Sequence, residues 1–208
     1  MIRLINHRNR GTYPQLLGAM HADRKRVFVD MLGWQLAHDG TAEHDQFDDE
    51  DAEYLILTDK NSGQHLASMR LLRTDRPHLM SEVFPSLCEG GVLAGPTVRE
   101  ITRFCVAPRG RASERRLARN ALVRSMTEYA LLTGISTFTA ACNLAFLSEV
   151  LAAGWRCRPL GMPKPIDGAL VGAIRIDIDQ GTISSMVGNW ASDPVDLRLT
   201  PYHTQAAA

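Results

Sequence analysis

The sequence predicts one α/β domain, a mixed β-sheet with helices packed on both faces. Three observations carry this. The chain has 208 residues, the length of a single domain. Its 45% hydrophobic and 22% charged residues describe an ordinary globular protein and exclude global disorder or a fibre. From residue 99 onward the apolar periodicity runs strand, helix, strand, helix, strand, strand, an order that lays helices on both faces of a sheet.

Residues 13–31 read as a helix, with Leu16, Leu17, Met20, Val27, Phe28 and Met31 at helical spacing. Arg24 falls between Met20 and Phe28 in steps of four and so lies on the apolar stripe; taken alone, its stem packs there and its head reaches water. The acidic run that follows (Glu43, Asp45, Asp48, Asp49, Glu50, Asp51 and Glu53) reads as a solvated loop. Glu53–Thr58 and Gln64–Leu72 are strands joined by a hairpin turn at Asp59–Gly63, with Arg70 interrupting apolar neighbours. Residues 73–98 hold Pro77, Pro85, Pro96, Gly90, Gly91 and Gly95, a long excursion of the kind that tends to be functional.

Arg99–Val106 is the next strand. Ser113 is expected to cap the helix after it, whose Leu117, Ala121, Leu122, Met126 and Ala130 repeat as an apolar face and which Gly134 ends. Then come a strand at Ile135–Cys142, a short helix at Asn143–Ala153 closed by Gly154, strands at Trp155–Leu160 and Leu170–Asp179, and a last helix at Thr182–Trp190.

Composition narrows the function. Lys+Arg and Asp+Glu are 23 each, so no net charge draws the chain to nucleic acid or a membrane surface. Most of the cations are Arg, the residue that grips planar anions with two bonds, although GC-rich coding gives the same bias. Cys88, Cys105, Cys142 and Cys157 show neither CxxC nor zinc spacing, so no metal site is expected, and Cys105 and Cys142 read as buried free thiols. The N-terminus lacks a signal-peptide core and no run reaches membrane-spanning length, which makes the cytoplasm the expected location. GxSxG, GxxxxGK[ST], HExxH and GxGxxG motifs are absent. His7, His21, His38, His44, His65, His78 and His203 form no local pair, and each is expected at the surface.

What remains is charge where charge is costly. Glu100 and Arg103 lie on a strand expected to cross the core, beside Ile101, Phe104, Cys105 and Val106. Buried ions persist when paired or when they hold a ligand, and a Glu100–Arg103 pair fastening an edge strand accounts for them as well as a site does. Strict alternation puts the two on opposite faces; a bulge between them brings both to one cleft. The turn Pro108–Arg111 leads into a helix start bearing Arg115, Arg116 and Arg119, a place that suits a phosphate or an acidic protein surface, and equally a solvated basic face.

Five elements stand in register: Arg24-x-x-x-Phe28 with Trp34, Glu43-x-Asp45-x-x-Asp48, Arg70, Phe84-Pro85, and Glu100-x-x-Arg103-Phe104-x-Val106, with Gly154-Trp155 beyond them. In this order and spacing the chain resembles the LuxI-type acyl-homoserine-lactone synthases, the autoinducer synthases of quorum sensing. The resemblance implies a GNAT-like three-layer sandwich with a mixed, splayed central sheet. It implies one domain over 1–208, an N-terminal lid at about 1–50 and an acyltransferase core at about 51–190. The Pro108–Arg111 turn departs from the glycine-dense pyrophosphate loop of acetyl-CoA enzymes, which fits a donor on acyl carrier protein and leaves an acyl-CoA donor open.

The implied reaction is acyl transfer from a thioester to the amine of S-adenosylmethionine, then lactonisation with release of methylthioadenosine. S-adenosylmethionine is a substrate, and no cofactor is expected. Glu100 is the implied base and Arg103 the group that orients the cosubstrate carboxylate. Arg24, Phe28, Trp34, Asp45, Asp48 and Arg70 are assigned to the S-adenosylmethionine side. Met126, Thr139, Phe146, Leu147 and Val150 are assigned to the acyl pocket. Arg109, Arg111, Arg115, Arg116 and Arg119 are assigned to the carrier or its phosphopantetheine. A GNAT-like N-acyltransferase acting on another amine, and a non-catalytic carrier-binding domain, are the alternatives.

Overall fold

The computed structural model describes residues 1–199, so His203 and the terminal Gln205–Ala208 lie outside the described residues. The chain runs β1 (Ile2–Ile5), α1 (Pro14–Arg24), β2 (Glu53–Thr58), β3 (His65–Arg73), α2 (Leu79–Glu82), β4 (Val98–Val106), α3 (Ala112–Thr133), β5 (Thr137–Asn143), α4 (Leu144–Leu151), β6 (Arg156–Pro159), β7 (Lys164–Ile166), β8 (Ala169–Asp177), α5 (Thr182–Ser185) and β9 (Leu197–Arg198). The strands form one sheet of order β6-β8-β5-β4-β3-β2-β1-β9, with β7 paired to β8.

Period-two alternation sends each strand's side chains to opposite faces, and here both faces are buried. Leu55 and Leu57 of β2 join Leu122, Met126 and Ala130 of α3 in one core, while Tyr54 and Ile56 join Met20 of α1 in a second. The 73–98 excursion covers the α1 side farther along the sheet, where Met80, Leu87 and Cys88 pack on Ala173. Helices on both faces of a mixed sheet are the architecture the element order predicts.

One feature of the sheet positions everything that follows. β4 and β5 are parallel and pair only through Val98–Glu100 against Thr137–Thr139; past Glu100 the ladder between them ends. The sheet therefore splits just beyond Glu100, between the strands that lead into α3 and α4.

Several details differ from the sequence reading. The first helix is α-helical only to Arg24 and continues as a wider π-helical turn over Lys25–Met31. β1 lies within the segment expected as a lid but pairs with β2 in the sheet. α3 is capped at Arg111, whose backbone N–H donates to the Glu114 carboxylate, and not by Ser113. Leu117, expected in the core, is 64% exposed. The last helix breaks after Ser185 into a short 3₁₀ turn at Gly188–Trp190, with Gly188 at φ 56°. Cys105 is a buried free thiol, while Cys142 is free but only half-buried. His21, His65 and His78 are buried, contrary to their expected surface placement.

Gly154 closes α4 at φ 96°, and a Cβ there would collide with the Ser185 carbonyl oxygen. Gly154→Ala should lower unfolding free energy by about 3 kcal/mol, from left-handed strain plus overpacking. Gly33→Ala, at φ 70° in open space, should lose only about 1 kcal/mol when both variants are unfolded in urea.

Candidate active site

Three arginines and three carboxylates meet against the α1 face of the sheet. Arg24 donates through Nε to Glu43 Oε2 at 2.6 Å and holds Asp48 with both terminal nitrogens at 2.7 and 2.9 Å. Arg70 grips Asp45 in the same two-pronged way at 2.5 and 2.9 Å and donates through Nε to the Thr102 hydroxyl at 2.9 Å. Arg103 bonds Glu43 at 3.0 Å and Asp45 at 2.7 Å. The charges of these six groups cancel. Burial alone would raise Asp48, but hydrogen bonds from Arg24 and the charges of Arg70 and Arg24 outweigh it and hold the carboxyl far below its usual range. Asp45 is lowered in the same manner, burial opposing and Arg70 prevailing.

The acidic run is therefore no solvated loop over its first half. Glu43 is fully buried and Asp48 nearly so, drawn inward by the arginines. Glu43 is the hub that residue-by-residue reading assigned no role; its only sequence signal was its place in the motif. Tyr54, whose hydroxyl donates to Asp48 at 2.7 Å, and Thr102 were missed as well, because a buried Tyr or Thr on a strand has no distinctive pattern.

Glu100 and Arg103 do reach one face, and by a bulge. Ser68 pairs with Cys105 and Arg70 with Thr102, so Arg103 and Phe104 together oppose Met69 alone. Arg103 takes φ 50°, a left-handed conformation costing a non-glycine residue about 1–2 kcal/mol. The two do not pair with each other. Glu100 instead accepts the Met80 backbone N–H at 3.1 Å, from the first turn of α2, and its Oε1 is buried with no partner among the described residues. Burial pushes its pKa up to about 7, against the opposing pull of the Met80 N–H and the Arg70 charge.

Phe28 and Trp34 stack face to face, centroids 5.0 Å apart and planes 7° apart. Phe28 is buried beside Arg103, and Trp34 is 41% exposed, so the pair forms a wall between the ion-pair lattice and solvent. Of the acyl-pocket candidates, Met126, Phe146, Leu147 and Val150 lie in one apolar cluster with Phe104, Ala140 and Cys142 on the α3 side. Thr139 is not among them. It sits directly across from Glu100 and on Glu100's face, opposite the apolar cluster, its hydroxyl buried without a partner among the described residues.

The arginines assigned to the carrier divide too. Arg109 turns inward, bonding the buried Asp23 carboxylate and the His65 carbonyl, and His65 Nδ1 meets the same Asp23 at 2.7 Å. Arg119 bonds Glu149 at 3.0 Å and lies over the Trp190 ring. Arg111 and Arg116 are exposed at the start of α3, with Arg115 half-buried and donating to the Gly110 carbonyl.

A mixed sheet that splits between two parallel strands, with a buried carboxylate at the split and charged and apolar compartments on its two faces, has the layout of the GNAT-like acyltransferases. The fold is shared by a putative N-acetyltransferase from Lactobacillus plantarum, at a TM-score of 0.56 and 20% identity over 86% of this chain and 99% of that one. The family model described as autoinducer synthase matches residues 10–186. An acyl-homoserine-lactone synthase from Ralstonia solanacearum is 33% identical over 183 residues, 85% of this chain and 89% of that protein. The CoA-dependent acyl-homoserine lactone synthase BjaI, solved with SAM and isopentyl-CoA, superposes at a TM-score of 0.86 with 28% identity, over 96% of this chain and 93% of that one. The chain belongs to the autoinducer synthase family and is an acyl-homoserine-lactone synthase, an enzyme of quorum sensing.

Arg24 is 1% exposed, and its loss leaves Glu43 with Arg103 alone and Asp48 with Arg70 alone, two buried carboxylates each short of one guanidinium. Arg24→Met should lower stability by about 3–5 kcal/mol at pH 7 in chemical denaturation. Because Asp45 and Asp48 titrate below their unfolded values, the stability they contribute is present above about pH 4 and lost as pH falls through their folded values. The deficit of the variant should therefore shrink in acid.

Proposed function

We propose that this enzyme acylates the α-amine of S-adenosylmethionine, with Glu100 as the general base, and then closes the lactone with release of methylthioadenosine. One observation carries the reading: a buried carboxylate at the split in the sheet, one oxygen held by Met80 and the other without a hydrogen-bond partner among the described residues, with its pKa raised to about 7. A base poised near neutrality is matched to removing a proton from an amine. The amine nitrogen bonds the thioester carbonyl carbon, the C–S bond breaks, and the proton taken by Glu100 passes to the departing thiolate. The cosubstrate carboxylate then attacks its own γ-carbon and displaces the sulfonium as a neutral thioether. That second step needs chiefly a held conformation.

Arg103 suits that carboxylate best, being 10% exposed where Arg24 and Arg70 are 1% and 0%. Asp45, the most open carboxylate of the lattice, would face the ammonium and sulfonium; Phe28 and Trp34 would cover the adenine. Arg24, Asp48 and Arg70 hold this wall in place, and residues 6–50 serve as the lid. Backbone N–H groups at the split would receive the thioester oxyanion. The acyl chain would pass through the split to Met126, Phe146, Leu147 and Val150.

For the donor we infer an acyl-CoA. BjaI carries isopentyl-CoA, and Arg111, Arg115 and Arg116 offer cations for a polyphosphate near the start of α3. Glu114 already occupies the Arg111 N–H, so this contact falls to side chains. The exposed arginines also fit an acidic carrier protein, which the assay separates.

Purified enzyme incubated with S-adenosylmethionine and matched acyl-CoA and acyl-carrier-protein thioesters should yield methylthioadenosine and acyl-homoserine lactone together, faster from acyl-CoA. Free thiol without methylthioadenosine would instead identify an N-acyltransferase using another amine. The kcat/KM profile should rise through about pH 7, and Glu100→Gln should lose on the order of 10²–10⁴ in rate. Since the folded pKa of Glu100 lies above its unfolded value, its neutral form stabilises the protein at low pH and that contribution is lost above about 7. At pH 8 the folded Glu100→Gln protein should thus melt no lower than wild type; unchanged turnover in it would sink the assignment.

A further inference from the structure

Beyond the acyl candidates a line of rings crosses the α3 side of the molecule. Phe104 of β4 lies 5.6 Å from Phe146 of α4, and Phe146 lies 6.2 Å from Trp190, centroid to centroid. Trp155 flanks Trp190 at 6.1 Å. Trp190 is only 5% exposed and belongs to the same core as Met126, Leu147 and Val150. On its other side opens a pocket of about 480 Å³, lined by Trp190 together with Arg116, Arg119, Glu149, Ala152 and Val187. The Trp190 indole, covered by Arg119, thus stands between the apolar core and a pocket open to solvent.

The indole is held deliberately. The Arg119 guanidinium lies 4.1 Å from its centroid and is tied to Glu149 at 3.0 Å. Behind it, Asn120 donates to the Ala191 carbonyl at 2.9 Å and Arg124 to the Ser192 carbonyl at 2.7 Å, fastening an irregular segment to α3. A ring presented from the end of a short 3₁₀ turn and clamped from a helix is placed to act as a partition.

We propose that Trp190 is the end wall of the acyl pocket and sets the upper limit of acyl length, with Arg119 and Glu149 as the latch that keeps it shut. This rests on the acyl-transfer reading above. The pocket beyond is the volume that a longer chain enters when the indole is removed. Each methylene that gains burial there is worth about 0.8 kcal/mol, so a few of them invert a length preference.

The test measures kcat/KM for straight-chain acyl-CoA thioesters from butanoyl to tetradecanoyl by thiol release, with wild type, Trp190→Phe, Trp190→Leu and Arg119→Met. Activity of the wild type should fall beyond a defined length. The ratio of long-chain to short-chain kcat/KM should rise at least about tenfold in Trp190→Leu, less in Trp190→Phe, and in the same direction in Arg119→Met. Truncating a buried Trp also destabilises the fold, but lost enzyme lowers both members of the ratio and leaves it unchanged. A constant ratio in the Trp190 variants, or activity that does not fall with length in wild type, overturns the proposal. Thiol release reads acyl length whichever amine accepts the group, so absence of methylthioadenosine with a shifted ratio would overturn the synthase chemistry and leave Trp190 standing.

Discussion

The site depends on a requirement of electrostatic completeness. Taking an isolated ion out of water costs many kcal/mol, so Arg24, Arg70 and Arg103 can be buried only with Glu43, Asp45 and Asp48 beside them. Those six residues come from α1, the chain before β2, β3 and β4, and none of the four segments can shift without uncovering a charge. The requirement explains why a segment with so many carboxylates is held against the protein. It also supplies the partners that make a left-handed Arg103 tolerable, because its guanidinium has two carboxylates to meet. The closed lattice leaves Glu100 outside it, buried and unpaired by any cation, which is the environment that raises its pKa.

The sheet divides the chemistry by face. Glu100, Thr139 and the lattice share the side of α1 and α2; the apolar compartment with Phe104 and Phe146 lies on the side of α3 and α4. The loss of pairing between β4 and β5 beyond Glu100 connects the two. A polar cosubstrate and an apolar chain are thereby kept in environments of opposite character, meeting only at the split.

The order of elements was legible because the longer ones carry strong periodicity: the β2–β3 hairpin, β4, α3, β5 and α4 all lie where spacing and turn residues put them. β1, β7 and β9 are four, three and two residues long, too short for a repeat to declare itself. Leu117 shows the limit of a one-dimensional stripe, since a helix of 22 residues extends beyond what it covers. In the site, the lattice arginines were visible as charges on apolar stripes. Glu43 was hidden among other acids, and what buries it is contributed by residues 19 and 60 positions away. His65 and Asp23, 42 positions apart, are paired by the same kind of long-range closure, which no local spacing encodes.

The bulge at Arg103 gives β4 a history as well as a shape. A strand with alternating faces is read in twos, and one extra residue changes the reading for everything after it. Phe104 and Val106 pack against the α3-side core while Cys105 faces the charges of Asp23 and Arg24, all because of that single residue. Substitution here alters one side chain; deletion would close the bulge, leaving Phe104 opposite Met69 and both linings in place while the lattice loses its third guanidinium.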